Sequence, residues 1–381
     1  MEFLEWKYHI DGLERMDGFR GPEKHQAKDA LLYLQKVLGD DFLSKCGLGE
    51  PFVARHPILR LLANFAPSSR RDIARFAGCL RTLERSKNLQ NVLARLHDLT
   101  QFDHDALLIK SAAKLVVEGL QASFEPTMPV GNKQKQPDLK LDDPLTSETV
   151  FLEVATQAPA KRRRDATNAS SAVINAVYGI SLHLCFAARW HKTPSKQALD
   201  DLLDRIKESA RRAVNERSIA FVQEEGTLEM AVCHRDERAS RLDLWSQERG
   251  LSSCGIIGPT ISRNDTVRLM RKIRDEQHQL PRNNANVIVI LAPDAFLGLG
   301  GVPRVITEVE EEVVKYDHVH LAIVHGEYID NREVEFTDQE GEHRYTRRIV
   351  DGTTENDLLL LNPQSRMKLS PNLLAKFYRV F

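Results

Sequence analysis

Between residues 103 and 157 the spacing of apolar residues switches from a helical to a strand period, and this switch constrains the fold most. DHDALLIKSAAKLVVEGLQ predicts a helix, with Asp103 or Asp105 near its start and Gly119 near its end. SFEPTM, DLKL and VFLEVAT then predict three short strands separated by turn residues. Upstream, HPILRLLANF, APSSRRDIARFAGCLRTLER and NLQNVLARLHDL all carry helical spacing, with Ser68 or Ser69 as the expected N-cap of the second. Downstream, a helical region is expected over about 165–190, another helix over about 196–214, and a strand at EMAVCH. TVRLMRKIRDEQHQL predicts a basic amphipathic helix whose face carries Arg268, Arg271 and Lys272, and NVIVILA is the clearest buried strand. RVITEVEEEVVKY and HLAIVHG form one more helix–strand pair. The chain therefore reads as mixed α/β behind an all-α start.

In VFLEVAT, strand alternation places Phe151, Glu153 and Ala155 on one face and Leu152, Val154 and Thr156 on the other. A carboxylate among such neighbours is costly to bury unless something compensates it, and a bound cation is one such partner. Asp138 opens the preceding strand, so a DLKL–VFLEVA hairpin brings two carboxylates together near one end of the sheet. Two hard oxygen ligands, with phosphate and water completing the shell, are the usual way Mg²⁺ is held in phosphate chemistry. Glu118 adds a third acid on the helical face it shares with Leu108, Ser111 and Leu115, and Lys114 one turn earlier offers it a simple ion pair. The plainer alternative makes Asp138 a turn residue, Glu153 an edge-strand charge and Glu118 a solvated helix acid.

A helix carrying Glu118, a strand, a strand opened by Pro137–Asp138 and a strand carrying Glu153 together resemble the PD-(D/E)XK nuclease superfamily over roughly residues 103–157. The later pair RLMRKIRDEQHQL–NVIVIL resembles the continuation of that fold. The resemblance implies a restriction-endonuclease-like core, a mixed sheet flanked by helices, over residues 101–300. A helical N-terminal region over 1–100 would precede it and an acidic α/β extension over 301–381 would follow. It also implies a metal-dependent DNA endonuclease that hydrolyses phosphodiester bonds, as in bacterial restriction and defence against phage and mobile elements. Asp138 and Glu153 would ligate Mg²⁺ or Mn²⁺, and Glu118 would assist. The family's lysine, two residues beyond the second acid, is Ala155 in this chain. Lys140, on the same side of its strand as Asp138, and Lys114 are candidates for a relocated cation, while Gln157 could at best orient a water. A migrated lysine, an inactive nuclease-fold subunit that binds nucleic acid or a partner protein, and a deliberate exchange of lysine for alanine all fit.

The 381-residue chain has a net charge of −1, which hides a strong segregation. Residues 157–217 hold 12 Lys/Arg against 6 Asp/Glu, whereas residues 301–357 hold 6 against 15. In the densest basic cluster, Lys161, Arg162, Arg163 and Arg164 are expected to contact DNA phosphates, as are Lys133 and Lys135 ahead of Asp138. A solvated helix start and a flexible polar turn are the plainer readings. The acidic segment would suit a protein partner, and a homodimer is also open. No apolar run approaches the roughly 18 to 20 residues of a membrane helix, and MEFLEWKYHI lacks a signal-peptide pattern, so a cytoplasmic protein is expected. Cys46, Cys79, Cys185, Cys233 and Cys254 form no C-x-x-C pair and read as buried thiols. His318 and His320 are spaced to share a metal, but half-buried structural histidines are the simpler reading. HRD at 234–236 and FLGLGG near residue 300 lack the context of kinase or phosphate-loop motifs.

Overall fold

The computed structural model describes residues 4–15, 21–47, 56–63, 67–130, 133–157, 161–181, 183–237, 241–251, 255–257, 265–292, 301–328, 336–341, 343–350 and 353–381. The chain forms two compact units, one of Met1–Gly49, Ala54–Ala158 and Asn264–Phe381, the other of Glu50–Val53 and Pro159–Arg263. The expected boundaries at 100 and 300 do not coincide with these limits. Both chain ends belong with the central sheet because their apolar faces share one core with it.

The helical start comprises α1 (Trp6–Gly12), α2 (Gly21–Leu38), α3 (Phe42–Cys46), α4 (Pro57–Ala63), α5 (Pro67–Thr82) and α6 (Leu89–Arg95). Helix α5 begins at Pro67, so Ser68 and Ser69 lie inside its first turn rather than capping it. Helix α7 (Phe102–Val117) leads into β1 (Gln121–Phe124), the β2 (Met128–Val130)–β3 (Lys133–Lys135) hairpin, β4 (Leu139–Asp142) and β5 (Thr149–Thr156). The second unit holds α8 (Lys161–Tyr178), β6 (Leu184–Trp190), α9 (Lys196–Glu216), β7 (Ala220–Glu224), β8 (Leu228–His234), α10 (Asp243–Glu248) and β9 (Gly255–Ile257). The chain then returns with α11 (Asp265–Glu276), β10 (Ala285–Leu291), α12 (Gly301–Val313), β11 (Val319–Tyr328), β12 (Phe336–Glu340), β13 (His343–Val350), β14 (Thr353–Leu361) and α13 (Pro371–Val380).

The helix expected over 165–190 is two elements: α8 stops at Tyr178 and LCFAARW is strand β6. All of β6 except Arg189 is buried, and a strand covered on both faces reads as a continuous apolar run that periodicity cannot tell from a helix. The second unit stacks α8 and α9 on one face of the sheet β7–β8–β6–β9.

In the first unit the sheet order is β1–β4–β5–β10–β11–β14–β13–β12. β1, β4 and β5 form an antiparallel meander, and β5, β10 and β11 run parallel. Alternation splits the sheet's side chains between two cores. Leu139, Leu152, Val154, Val287 and Val289 pack with α7, α13 and the helical start. Phe151, Ala155, Ile288 and Ile290 pack with Leu269 and Ile273 of α11 and Val309 and Val313 of α12. NVIVIL is apolar throughout because its strand is covered on both sides. Among the described residues no helix is long and apolar enough to cross a membrane.

Candidate functional site

The β4–β5 register brings the two predicted acids together. Leu139 stands opposite Leu152, so continuing the antiparallel pairing by one place sets Asp138 against Glu153. The Asp138 backbone N–H donates to Glu153 Oε2 at 3.3 Å. The β4–β5 ladder stops at Leu139, and beyond its end the Val154 N–H donates to Asp138 Oδ2 at 2.8 Å. β5 is an interior strand between β4 and β10, so Glu153 is not the edge-strand charge of the plainer reading, and its side chain is buried. Burial, reinforced by the charges of Asp138 and Glu276, pushes the Glu153 carboxyl up to about 9. The Asp138 N–H and the His104 charge pull the other way but do not prevail. Glu153 is consequently protonated at neutral pH.

His104, in the first turn of α7, completes this arrangement. Its Nε2 lies 3.2 Å from Asp138 Oδ2 and its Nδ1 3.1 Å from Asp105 Oδ1. Burial opposes a charge on the ring, yet hydrogen bonds to Asp105 and Asp138, and their charges, push the imidazole up to about 10. Both ring nitrogens therefore donate at neutral pH. Asp105 is fully buried, and Arg95 at the end of α6 grips it with two 2.9 Å hydrogen bonds, Nε to Oδ2 and Nη2 to Oδ1. Arg95 also pairs with Glu125, a residue whose φ of 46° turns the chain after β1. The two acids expected near the start of α7 thus lie inside its first turn, after Gln101, and Asp105 serves this buried network rather than the helix end. Glu276, at the end of α11, contributes a second negative charge felt by Glu153, beside that of Asp138, and pairs with Lys272 at 3.0 Å.

The other expected site residues lie elsewhere. Glu118 closes the opposite end of α7, about 21 Å from His104 at 1.5 Å rise per residue, and its carboxylate accepts from Arg379 Nε at 2.6 Å. Lys114 turns to Glu355 at 3.1 Å. Lys140 bonds Asp142 at 2.8 Å and exerts no resolved pull on Glu153. Gln157 extends the β5–β10 pairing by donating its backbone N–H to the Leu291 carbonyl at 2.8 Å. Ala155 is 2% exposed in the core it shares with Leu269 and Ile273 of α11. Lys135 donates to the His278 carbonyl, whereas the side chains of Lys133, Lys161, Arg162, Arg163 and Arg164 lie outside the described residues. His318 Nε2 lies 3.1 Å from the Gln277 carbonyl, and His320 Nδ1 accepts from the Leu369 N–H at 2.9 Å. Both histidines are buried and structural, and burial pushes His320 down to about 4.

Sequence reasoning located Asp138 and Glu153 but not His104, Asp105, Arg95 or Glu276 as their neighbours. The triplet DHD in the first turn of the helix before the meander was the available signal for His104; Arg95 and Glu276 arrive through tertiary contacts and leave none. The donor set of the acid pair is all oxygen, which suits a hard cation such as Mg²⁺ or Mn²⁺. The carboxyl whose charge burial suppresses is the deficit that such a cation would fill. Among the described residues no group of three or more His, Cys, Asp or Glu side chains is arranged to hold a metal ion, so water or substrate oxygens would have to complete the shell. No protein-family model matches the sequence, and comparisons with curated proteins and with solved structures give no match either.

Proposed function

We propose that the chain is a metal-dependent DNA endonuclease built on a restriction-endonuclease-like core, with a role in bacterial restriction or mobile-element defence. The observation that carries this reading is a buried Glu153 set against Asp138 with no lysine or arginine among the described residues to neutralise it. The order α7, three-stranded meander, α11, parallel β10 supports it further. Asp138 and Glu153 would hold Mg²⁺ or Mn²⁺, which when bound activates water and stabilises charge on the phosphate. His104 and the Val154 N–H both bond Asp138 Oδ2 and fix the carboxylate's orientation. Asp105, clamped by Arg95, fixes the ring of His104 in turn, as the outer partners of metal ligands commonly do. Glu153 would have to lose its proton to serve as a ligand. Lys272 on α11 pairs with Glu276, whose charge acts on Glu153, and is the residue we assign to the part left empty by Ala155.

Plasmid cleavage in Mn²⁺ tests the reading. Wild-type protein should nick or linearise the plasmid, Asp138→Asn and Glu153→Gln should each lose about 100-fold or more, and Lys272→Ala about tenfold. Calorimetry in buffers of different ionisation enthalpy should register about one proton released per cation at pH 7. Cleavage indifferent to Asp138→Asn would dismiss the proposal. Ala155, and the ion pair that already occupies Asp138, favour a second reading: an inactive nuclease-fold subunit that binds nucleic acid or a partner protein. DNA binding by the wild type, with cleavage only in Ala155→Lys, would select it.

A further inference from the structure

At the other end of the same sheet, β12, β13 and α13 form an open cleft of about 440 Å³ lined by Thr337, Arg344, Thr346, Arg348, Tyr378 and Arg379. Arg347 contributes to the same lining, and no carboxylate does so among the described residues. Residues 344, 346 and 348 fall on one face of β13 by alternation. Each leaves a buried polar atom without a hydrogen-bond partner: Arg344 Nε, Thr346 Oγ1 and Arg348 Nε. Thr346 is 4% exposed. Buried polar groups are nearly always satisfied in folded proteins, so three orphans along one wall ask for a common partner.

The charges show what that partner is. Arg348 is partly neutralised by Asp357 and Glu355, and Glu355 is itself shared with Lys114. Arg379 pairs with Glu118. Arg344 stacks 4.9 Å over the ring of Tyr378 and meets no carboxylate among the described residues. Guanidinium groups offer planar forks of donors that match oxyanions, and hydroxyls from Thr337, Thr346 and Tyr378 add further donors. The cleft lies four strand spacings from β5, or about 19 Å at 4.8 Å per strand, so it is separate from the acid pair.

We propose that this cleft is a phosphate-binding site that takes a phosphoryl group of an oligophosphate or of a nucleic-acid backbone. It stands on its own donors and does not depend on the chemistry assigned to Asp138 and Glu153. The test uses the full chain in EDTA, so the acid pair holds no metal and the outcome is independent of it. Pyrophosphate is titrated by calorimetry, and a fluorescein-labelled DNA duplex by anisotropy. Saturable binding should weaken about tenfold in Arg344→Gln and about threefold in the near-isosteric Thr346→Val. A response to pyrophosphate alone identifies a free oligophosphate as the ligand, and a response to DNA identifies a backbone phosphate. Absence of saturable binding in both arms, or binding unchanged in Arg344→Gln, overturns the proposal.

Discussion

The β4–β5 hairpin buries a carboxylate at each end and treats the two in opposite ways. At the turn, Asp143 is 2% exposed and meets Lys376 of α13 at 2.8 Å and the Leu145 N–H at 2.9 Å. The lysine, with the Leu145 and Thr146 N–H groups, holds the Asp143 carboxyl below the usual range although burial works against it. At the open end, Glu153 is 5% exposed, meets no lysine or arginine among the described residues, and is pushed up to about 9. Strand pair and side-chain chemistry are closely alike, so burial alone is not what marks a site. Burial without a lysine or arginine bonded to the carboxyl marks it. A structural acid carries its partner within the fold, whereas Glu153 is left to take a proton or a ligand.

Breaking the compensated end should give the largest effect. Lys376→Met leaves Asp143 buried and unpaired, which should cost about 3 kcal/mol in urea unfolding at pH 7. Asp143 is depressed in the fold, so its contribution is present above its ordinary pKa and lost as pH falls. The deficit of Lys376→Met should therefore shrink below about pH 5. At the uncompensated end the sign reverses. Glu153 has a raised folded pKa, so the folded protein binds more protons than the unfolded chain between its ordinary value and about 9, and stability falls as pH rises through that window. Glu153→Gln should then stabilise the protein by about 2 kcal/mol at pH 9 and by nearly nothing at pH 4.5. If Glu153→Gln destabilises at pH 9, the contrast between the two ends does not exist.

Much of the open end was legible in the sequence, and the reasons are local. Strand alternation and a two-strand hairpin suffice to place Asp138 opposite Glu153, because a register needs only short-range pairing. The switch from helix to meander, the buried strand NVIVIL and the basic helix before it were also readable from period alone. Glu118 was not placed correctly by its helical face, since a face does not say which end of a 16-residue helix meets the strands. Arg95 and Glu276 reach the acids from segments far away in sequence, where no pattern announces contact. β6 is hidden in the sequence because a strand covered on both sides loses its alternation. The cleft on β13 lies inside a segment whose net charge is strongly negative, so a sum over residues hid three arginines gathered on one strand.

His104 tests how the open end is held together. Its folded pKa, near 10, lies above that of an unfolded histidine, so its stabilising contribution is complete below about pH 6.5 and is lost as pH rises through 10. His104→Gln should cost about 1 kcal/mol at pH 7 and little near pH 11. Its loss also removes a positive charge that lowers the Glu153 pKa, so the Glu153 titration followed by carboxyl NMR should move further up. A titration that moves down instead would separate His104 from the acid pair.

The smallest effect is expected at Lys140, one of the two candidates for a relocated cation. Its side chain is 34% exposed and its Nζ is committed to Asp142 at 2.8 Å, a pair near the turn end of the hairpin. Exposed pairs of this kind contribute roughly 0–1 kcal/mol, so Lys140→Met should change stability by less than about 0.5 kcal/mol. Lys140 and Thr149 hold the Asp142 carboxyl down against its partial burial, so that carboxyl should rise toward its ordinary range in the variant. Glu153 should titrate as before, because Lys140 is not among the groups that shift it. Should Glu153 move in Lys140→Met, the open end would have a lysine acting on Glu153 after all. The two ends of the hairpin would then differ in degree rather than in kind, and the case for an external ligand at Asp138 and Glu153 would lose its central support.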